Sequence, residues 1–144
     1  MSQENVERIR RGYEAFNRGD FASAAKDFDP NFEWRIPLEL PDSPPDETYR
    51  GREEIIGFWQ TWRAAFDDFR MELEEIIDAG DKVIVFGGVR GRGAESGVDV
   101  KTPTFPQVWT FGDDGRPLRV EMYQSRAEAL EAVGLSEQDA HADP

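Results

Sequence analysis

The feature that most constrains this chain is a change in the spacing of its apolar residues near Phe66. Before this point, apolar side chains recur at helical spacing in two segments, 6–16 and 55–66, with charged residues between them. After it, from 69 to 124, most segments alternate between apolar and polar residues and are separated by turns. Helical spacing predicts helices with one buried face, and alternation predicts strands. We therefore expect an α+β fold with a run of antiparallel strands in its second half.

Turn and capping residues divide the chain further. Gly19 is expected to end the first helix, and Asp20 to cap a short second helix over 21–28. A strand over 31–37, "NFEWRIP", precedes the third helix. The segment 98–111 is predicted to form one long strand, bent or bulged near its prolines. After the last strand, a short helix opens with the capping box of Ser125 and Glu128 and ends at Gly134.

The composition excludes several classes of function. The 144 residues include 30 acidic and 17 basic ones, for a net charge of −13, so neither nucleic acid nor a membrane surface is an expected partner. Cysteine is absent, and the single histidine, His141, lies near the end of the sequence. We therefore predict no cysteine nucleophile, no histidine base, no metal site and no cofactor. No apolar run approaches the roughly 20 residues of a membrane span, and no secretory signal is seen, so a cytoplasmic protein is expected.

The length suits one domain, which we place at 1–135, followed by a flexible tail at 136–144. The proline-rich segment 38–49 is predicted to be a loop within that domain, and its role is open.

Six segments carry a resemblance to a known family across nearly the whole chain. The order of predicted elements and these segments resemble the SnoaL-like polyketide cyclases, of the nuclear transport factor two-like superfamily. That resemblance implies a cone-shaped, curved antiparallel sheet, with N-terminal and central helices packed on its concave face around a cavity. It also implies a homodimer formed through the sheet face. The segments are "YEAFNRGD" (13–20), "DPNFEWRIP" (29–37), "YRGREEIIGFW" (49–59), "DAGDKVIV" (78–85), "VWTFGDDGRPLRV" (108–120) and "RAEALEAVGL" (126–135).

The resemblance also directs attention to positions where relatives keep proton-transfer groups. Arg35 falls near the catalytic aspartate of the steroid isomerases, and Met122 at the general acid or base of the cyclases. Gln107 falls where the isomerases donate a hydrogen bond to an oxyanion, and an amide is a competent donor. Since neither Arg35 nor Met122 can act as a base, Glu33 is the best remaining candidate, with Arg35 or Gln107 polarising a carbonyl. The structural alternative is a solvent-facing salt bridge between Glu33 and Arg35.

The wall of the implied cavity is expected to be mainly aromatic. Aromatic side chains make up 12% of the chain, and several lie on helix or strand faces that would point inward. Tyr13 is interpreted as core, with a hydroxyl that could reach the cavity. The predicted lining residues are Tyr13, Trp34, Phe58, Trp59, Trp62, Trp109, Val120, Met122 and Gln124.

Three functions remain open at this stage, because this fold supports many activities. The first is binding of a small apolar or polycyclic molecule without demonstrated activity. The second is a cofactor-independent isomerase, cyclase or epoxide hydrolase that uses a pocket carboxylate for acid–base chemistry. The third is a protein-interaction module that uses the open sheet face.

Overall fold

The computed structural model describes residues 2–36, 47–103 and 106–136. Within these ranges the chain forms helices and strands in the order that the change of spacing predicts. The helices are α1 (Ser2–Asn17), α2 (Phe21–Ala24), α3 (Gly51–Ala65) and α4 (Arg126–Ala132). The strands are β1 (Glu33–Ile36), β2 (Glu47–Arg50), β3 (Phe66–Asp78), β4 (Lys82–Gly93), β5 (Asp99–Pro103), β6 (Gln107–Phe111) and β7 (Pro117–Met122).

Helix α1 packs its apolar face into the interior through Ile9 and Ala15, which are both buried. It ends at Gly19, whose φ of 80° places it in the left-handed region that closes helices. Asp20 then caps α2 by accepting a hydrogen bond from the Ser23 backbone N–H at 3.2 Å, as its sequence position predicts. The predicted second helix, 21–28, is shorter than expected because turn geometry replaces helix after Ala24.

The sheet is curved and mixed, with the order β2-β1-β7-β6-β4-β3. Strand β1 runs parallel to β7, with Trp34 opposite Val120, and antiparallel to β2. The strand β2 was not predicted, since its residues were assigned to the proline-rich loop. Residues 38–46 of that loop lie outside the described ranges, as do 137–144 of the predicted tail.

The predicted long strand over 98–111 is two strands, which both pair with β4. The first, β5, pairs with the C-terminal half of β4, and β6 pairs with the N-terminal half of β4. Pro103 ends β5 and Pro106 directly precedes β6. Proline has no backbone N–H to give to a ladder, which is the physical reason for a break here.

The two faces of the sheet carry different cores. The concave face, beneath α1, α2 and α3, holds the larger cluster, which includes the buried Trp34, Val85, Trp109 and Val120. The opposite face holds a smaller cluster, in which Ile84 and Val108 pack against Ala129 and Leu130 of α4. The closing helix therefore covers the back of the sheet, instead of joining the other helices on the concave face. The predicted α+β class is confirmed.

Candidate functional site

Aromatic rings fill most of the space between the helices and the concave sheet face. Trp109, from β6, is central: its ring centroid lies 5.8 Å from those of Phe28 and Trp34, and 6.2 Å from that of Tyr13. Trp59, from α3, packs edge-on against Trp34 at 6.1 Å. Both indoles are buried. Edge-to-face rings of this kind add cohesion beyond the area that they bury.

A pocket of about 280 Å³ remains beside these rings, beneath α1 and α2. Its inner wall consists of Tyr13, Phe28 and the three tryptophans Trp34, Trp59 and Trp109. Its rim consists of charged side chains on the helices and the following turn, namely Arg8, Arg11, Glu14, Arg18, Lys26 and Asp27. The site therefore combines an apolar wall with a polar entrance, as small-molecule pockets commonly do.

One buried amide brings hydrogen-bonding capacity into this aromatic region. Gln107 is 5% exposed, and its Oε1 accepts hydrogen bonds from the Tyr13 hydroxyl and from Trp109 Nε1, the latter at 3.3 Å. Because an indole N–H can only donate, this contact fixes which end of the amide faces the rings. The amide nitrogen makes no hydrogen bond with any described residue. Burial raises the pKa of Tyr13 well above its usual value, so its phenol remains protonated at neutral pH.

Glu33 and Arg35 lie on the other side of β1 from Trp34, because neighbouring residues in a strand point to opposite faces. Arg35 pairs with Glu33 at 3.1 Å, and Glu33 also pairs with Arg50 at 3.3 Å. Glu121 lies 3.9 Å from Arg35 on the adjacent strand. The Glu33 side chain is 25% exposed and that of Arg35 is 41% exposed. These residues form a half-exposed ionic network rather than part of the pocket wall; a catalytic role for them stays a prediction.

The structure brings together only some of the other predicted lining residues. Tyr13, Trp34, Trp59 and Trp109 line the pocket, and Gln107 lies directly behind Tyr13 and Trp109. The remaining five do not line it. Phe58 stacks on Tyr49 at 4.4 Å, Trp62 is 46% exposed, Val120 is fully buried, Met122 accepts a hydrogen bond from Trp34 Nε1 at 3.4 Å, and Gln124 is exposed beyond the end of β7.

The sequence interpretation missed the charged rim of the pocket and part of its apolar wall. Phe28 belongs to the inner wall, and Pro117, the first residue of β7, lines the pocket as well. Phe28 carried a usable signal, since it ends the apolar pattern that begins at Phe21 in "FASAAKDF". Pro117 gave no such signal, because it lies next to a turn in the sequence and reaches the pocket only through sheet pairing.

Two other features are absent from the part of the chain that the structure describes. No group of three or more potential metal-ligating side chains occurs among residues 2–36, 47–103 and 106–136. Over the same ranges, every helix is too short or too polar to cross a bilayer.

A curved mixed sheet that wraps an aromatic interior beneath three helices defines a class of small α+β domains. Within that class, the chain belongs to the SnoaL-like domain family, whose model matches residues 9–120. The predicted family is thereby confirmed. No curated protein sequence matches the chain.

Several solved structures share this fold. An NTF2-like protein of unknown function from Burkholderia pseudomallei K96243 is 25% identical, with a TM-score of 0.70; the match covers 90% of this chain and 97% of that one. TerC, co-crystallised with polyporic acid, has the same identity, TM-score and coverage. A Mycobacterium tuberculosis protein in complex with estradiol-17beta-hemisuccinate is 11% identical, with a TM-score of 0.69, and the match covers 84% of this chain and 93% of that one.

Proposed function

We propose that this SnoaL-like protein binds a small, mostly apolar ring compound in the pocket beneath α1 and α2. The observation that carries the proposal is the pocket wall, where Tyr13 and three tryptophan rings line a space of about 280 Å³. Flat apolar molecules gain most from such walls, because stacking and edge contacts are available on several sides.

The polar contact in the proposal is the oxygen of Tyr13. The Tyr13 hydroxyl donates to Gln107 Oε1 and accepts a hydrogen bond from Trp109, so the remaining lone pair of the phenol oxygen is the acceptor available to a ligand. Because burial raises the pKa of Tyr13, the phenol is neutral when it meets a ligand. We therefore propose a ligand that carries a hydroxyl or an N–H donor on its ring.

The volume of the pocket favours a compact ligand over a large polycyclic one. Pockets for drug-sized molecules usually measure about 300–1,000 Å³, so a space of this size suits one or two rings. TerC, which has this fold, was co-crystallised with polyporic acid, and this supports small-molecule binding as a use of the fold.

The enzymatic alternative has less support from the arrangement of charges. Glu33, its candidate base, lies across the sheet from the pocket and is paired with two arginines. A general base has to reach the proton that it removes, and geometry comes before pKa in that requirement. Our proposal is therefore binding, without an assigned reaction.

Calorimetric titration with 2-naphthol tests the proposal, with naphthalene as the same ring system lacking the donor. We expect 2-naphthol to bind more tightly, and Tyr13→Phe to weaken its binding by about two- to tenfold, the value of one hydrogen bond. Tyr123→Phe is the matched control, since Tyr123 packs with the α4 cluster on the back of the sheet. Equal affinities of the two variants for 2-naphthol, or no binding to the wild type, would contradict the proposal.

A further inference from the structure

A second cleft lies where the beginning of β3, the end of β4 and strand β5 meet. Its charge is opposite in sign to the net charge of the chain. Its volume is about 530 Å³, and it is lined by five cationic side chains and two carboxylates. The whole chain has the opposite balance, with 17 basic and 30 acidic residues. The basic excess is therefore a local property of this cleft. The charged lining residues are Arg63, Asp68, Arg70, Arg90, Arg92, Asp99 and Lys101.

Three of these cations form a row across the sheet. Arg70 of β3 lies opposite Arg90 of β4, and Arg90 lies opposite Lys101 of β5. Directly opposed residues on neighbouring strands have Cβ atoms about 4.5–5.5 Å apart, and like charges in that position destabilise the sheet. The sequence thus places three cations where folding alone would disfavour them.

Only part of this charge is neutralised by neighbouring side chains. Arg90 pairs with Glu72 at 3.7 Å, and Arg92 pairs with Asp99 at 3.1 Å. Arg70 and Lys101 form no ion pair with any residue in the described part of the chain. The two ends of the cationic row are therefore uncompensated.

The surroundings of the row give the cleft a defined shape. Phe69, which is buried, contributes an apolar wall. Asp68 lies in a bulge of β3 with φ of 54°, and its carboxylate interacts electrostatically with Arg92. The guanidinium of Arg63 lies against Gly19, since a Cβ built on Gly19 would be 3.0 Å from Arg63 Cζ. The negative, C-terminal end of the α1 dipole therefore partly offsets the charge of Arg63. The uncompensated charge of the cleft thus lies at Arg70 and Lys101, and not at Arg63.

We propose that this cleft binds a small polyvalent oxyanion, whose phosphate or carboxylate groups are held by Arg70, Arg90 and Lys101. Guanidinium groups match both kinds of oxyanion with paired hydrogen bonds, and an ammonium adds a point charge. Such a ligand would remove the repulsion along the row. The site shares no lining residue with the aromatic pocket, so it is independent of the function proposed above.

Calorimetric titrations with inorganic pyrophosphate and, separately, with citrate test this proposal, at an ionic strength held constant with sodium chloride. We expect at least one of the two anions to bind, and its identity assigns phosphate or carboxylate chemistry to the site. Arg70→Gln and Lys101→Gln should each weaken binding about tenfold, the value of a charge-assisted hydrogen bond. The control is Arg116→Gln, which removes an exposed arginine paired with Asp114 outside the cleft.

Urea unfolding of the same proteins distinguishes anion binding from a purely structural role. If Arg70 and Lys101 only stabilised the fold, replacing either one would lower the unfolding midpoint of the anion-free protein. Without anion, Arg70→Gln and Lys101→Gln should raise the unfolding midpoint, because each relieves repulsion in the row. With the bound anion present, the wild type should gain more stability than either variant. The proposal fails if neither anion binds, if Arg116→Gln weakens binding as much as Arg70→Gln, or if the two cleft variants lower the anion-free midpoint.

Discussion

The two sides of strand β1 show how differently one short segment contributes to stability and function. On one side, Trp34 is buried among rings, 5.8 Å from Trp109 and 6.1 Å from Trp59. On the other side, Glu33 and Arg35 share a half-exposed ionic network with the neighbouring strands. Buried rings contribute kilocalories each, whereas exposed ion pairs contribute little. We therefore expect the ring side to determine the fold and the pocket, and the charged side to tolerate change.

The largest expected effect compares two tryptophans on α3. Trp59 is 7% exposed and contacts the rings of Phe16, Phe28 and Trp34, whereas Trp62 is 46% exposed and stacks on Phe66. Trp59→Ala should lower the free energy of unfolding by about 3–5 kcal/mol, because it removes a buried indole and leaves a cavity. Trp62→Ala should cost about 1 kcal/mol or less. Urea unfolding measures both; similar losses would mean that the interior rings do not carry the stability assigned to them.

The second effect concerns Gln107, the amide that lies among the rings. Gln107→Leu should cost about 2–3 kcal/mol, because the Tyr13 hydroxyl and Trp109 Nε1 both lose their buried acceptor. Gln124→Leu is the matched control, since Gln124 is exposed, and it should change stability by less than about 0.5 kcal/mol. Thermal and urea unfolding of the pair gives the answer. A Gln107→Leu variant as stable as the wild type would show that the polar contacts inside the ring cluster are dispensable.

The third effect depends on pH. Burial raises the pKa of Tyr13 in the folded protein, whereas the unfolded chain keeps a value of about 10. The folded state therefore holds its proton when the unfolded state has lost it, so stability is complete below about pH 10 and falls as the pH rises further. Between neutral pH and pH 11, the free energy of unfolding should fall by about 1 kcal/mol more in the wild type than in Tyr13→Phe. Parallel curves of stability against pH for the two proteins would exclude a buried phenol at this position.

The smallest effect is expected on the charged side of β1. Glu33→Gln breaks pairs with Arg35 and Arg50, but both arginine side chains are substantially exposed. The loss should be below about 1 kcal/mol and should shrink further as salt screens the pairs. Urea midpoints at low and high salt measure it, and 2-naphthol affinity should stay unchanged. A loss of several kilocalories that persists in high salt would show that the ionic side of β1 contributes as much to stability as a buried ring does.

The sequence predicted the fold better than it predicted the site, and particular residues show why. Periodicity and capping depend on residues close in sequence, so the end of α1 and the cap at Ser125 could be anticipated. Whether a strand residue faces the pocket depends on sheet curvature and on pairing between distant segments. Alternation showed that Glu33 and Trp34 face opposite ways, but not which of them faces inward. The hydrogen bond between Tyr13 and Gln107 joins residues 94 positions apart, and no local pattern encodes it.

The parallel pairing of β1 with β7 has a consequence for how the chain folds. Strand β1 lies between β2 and β7, and its partner Arg119 is far along the chain from Glu33. During synthesis, the β1–β2 hairpin therefore has to wait for almost all of the domain before it can join the sheet. Closing such a long loop is slow compared with forming local contacts. Until β7 emerges, the inner edge of β1 is an open strand that another nascent chain could pair with, so early folding is the stage most prone to aggregation.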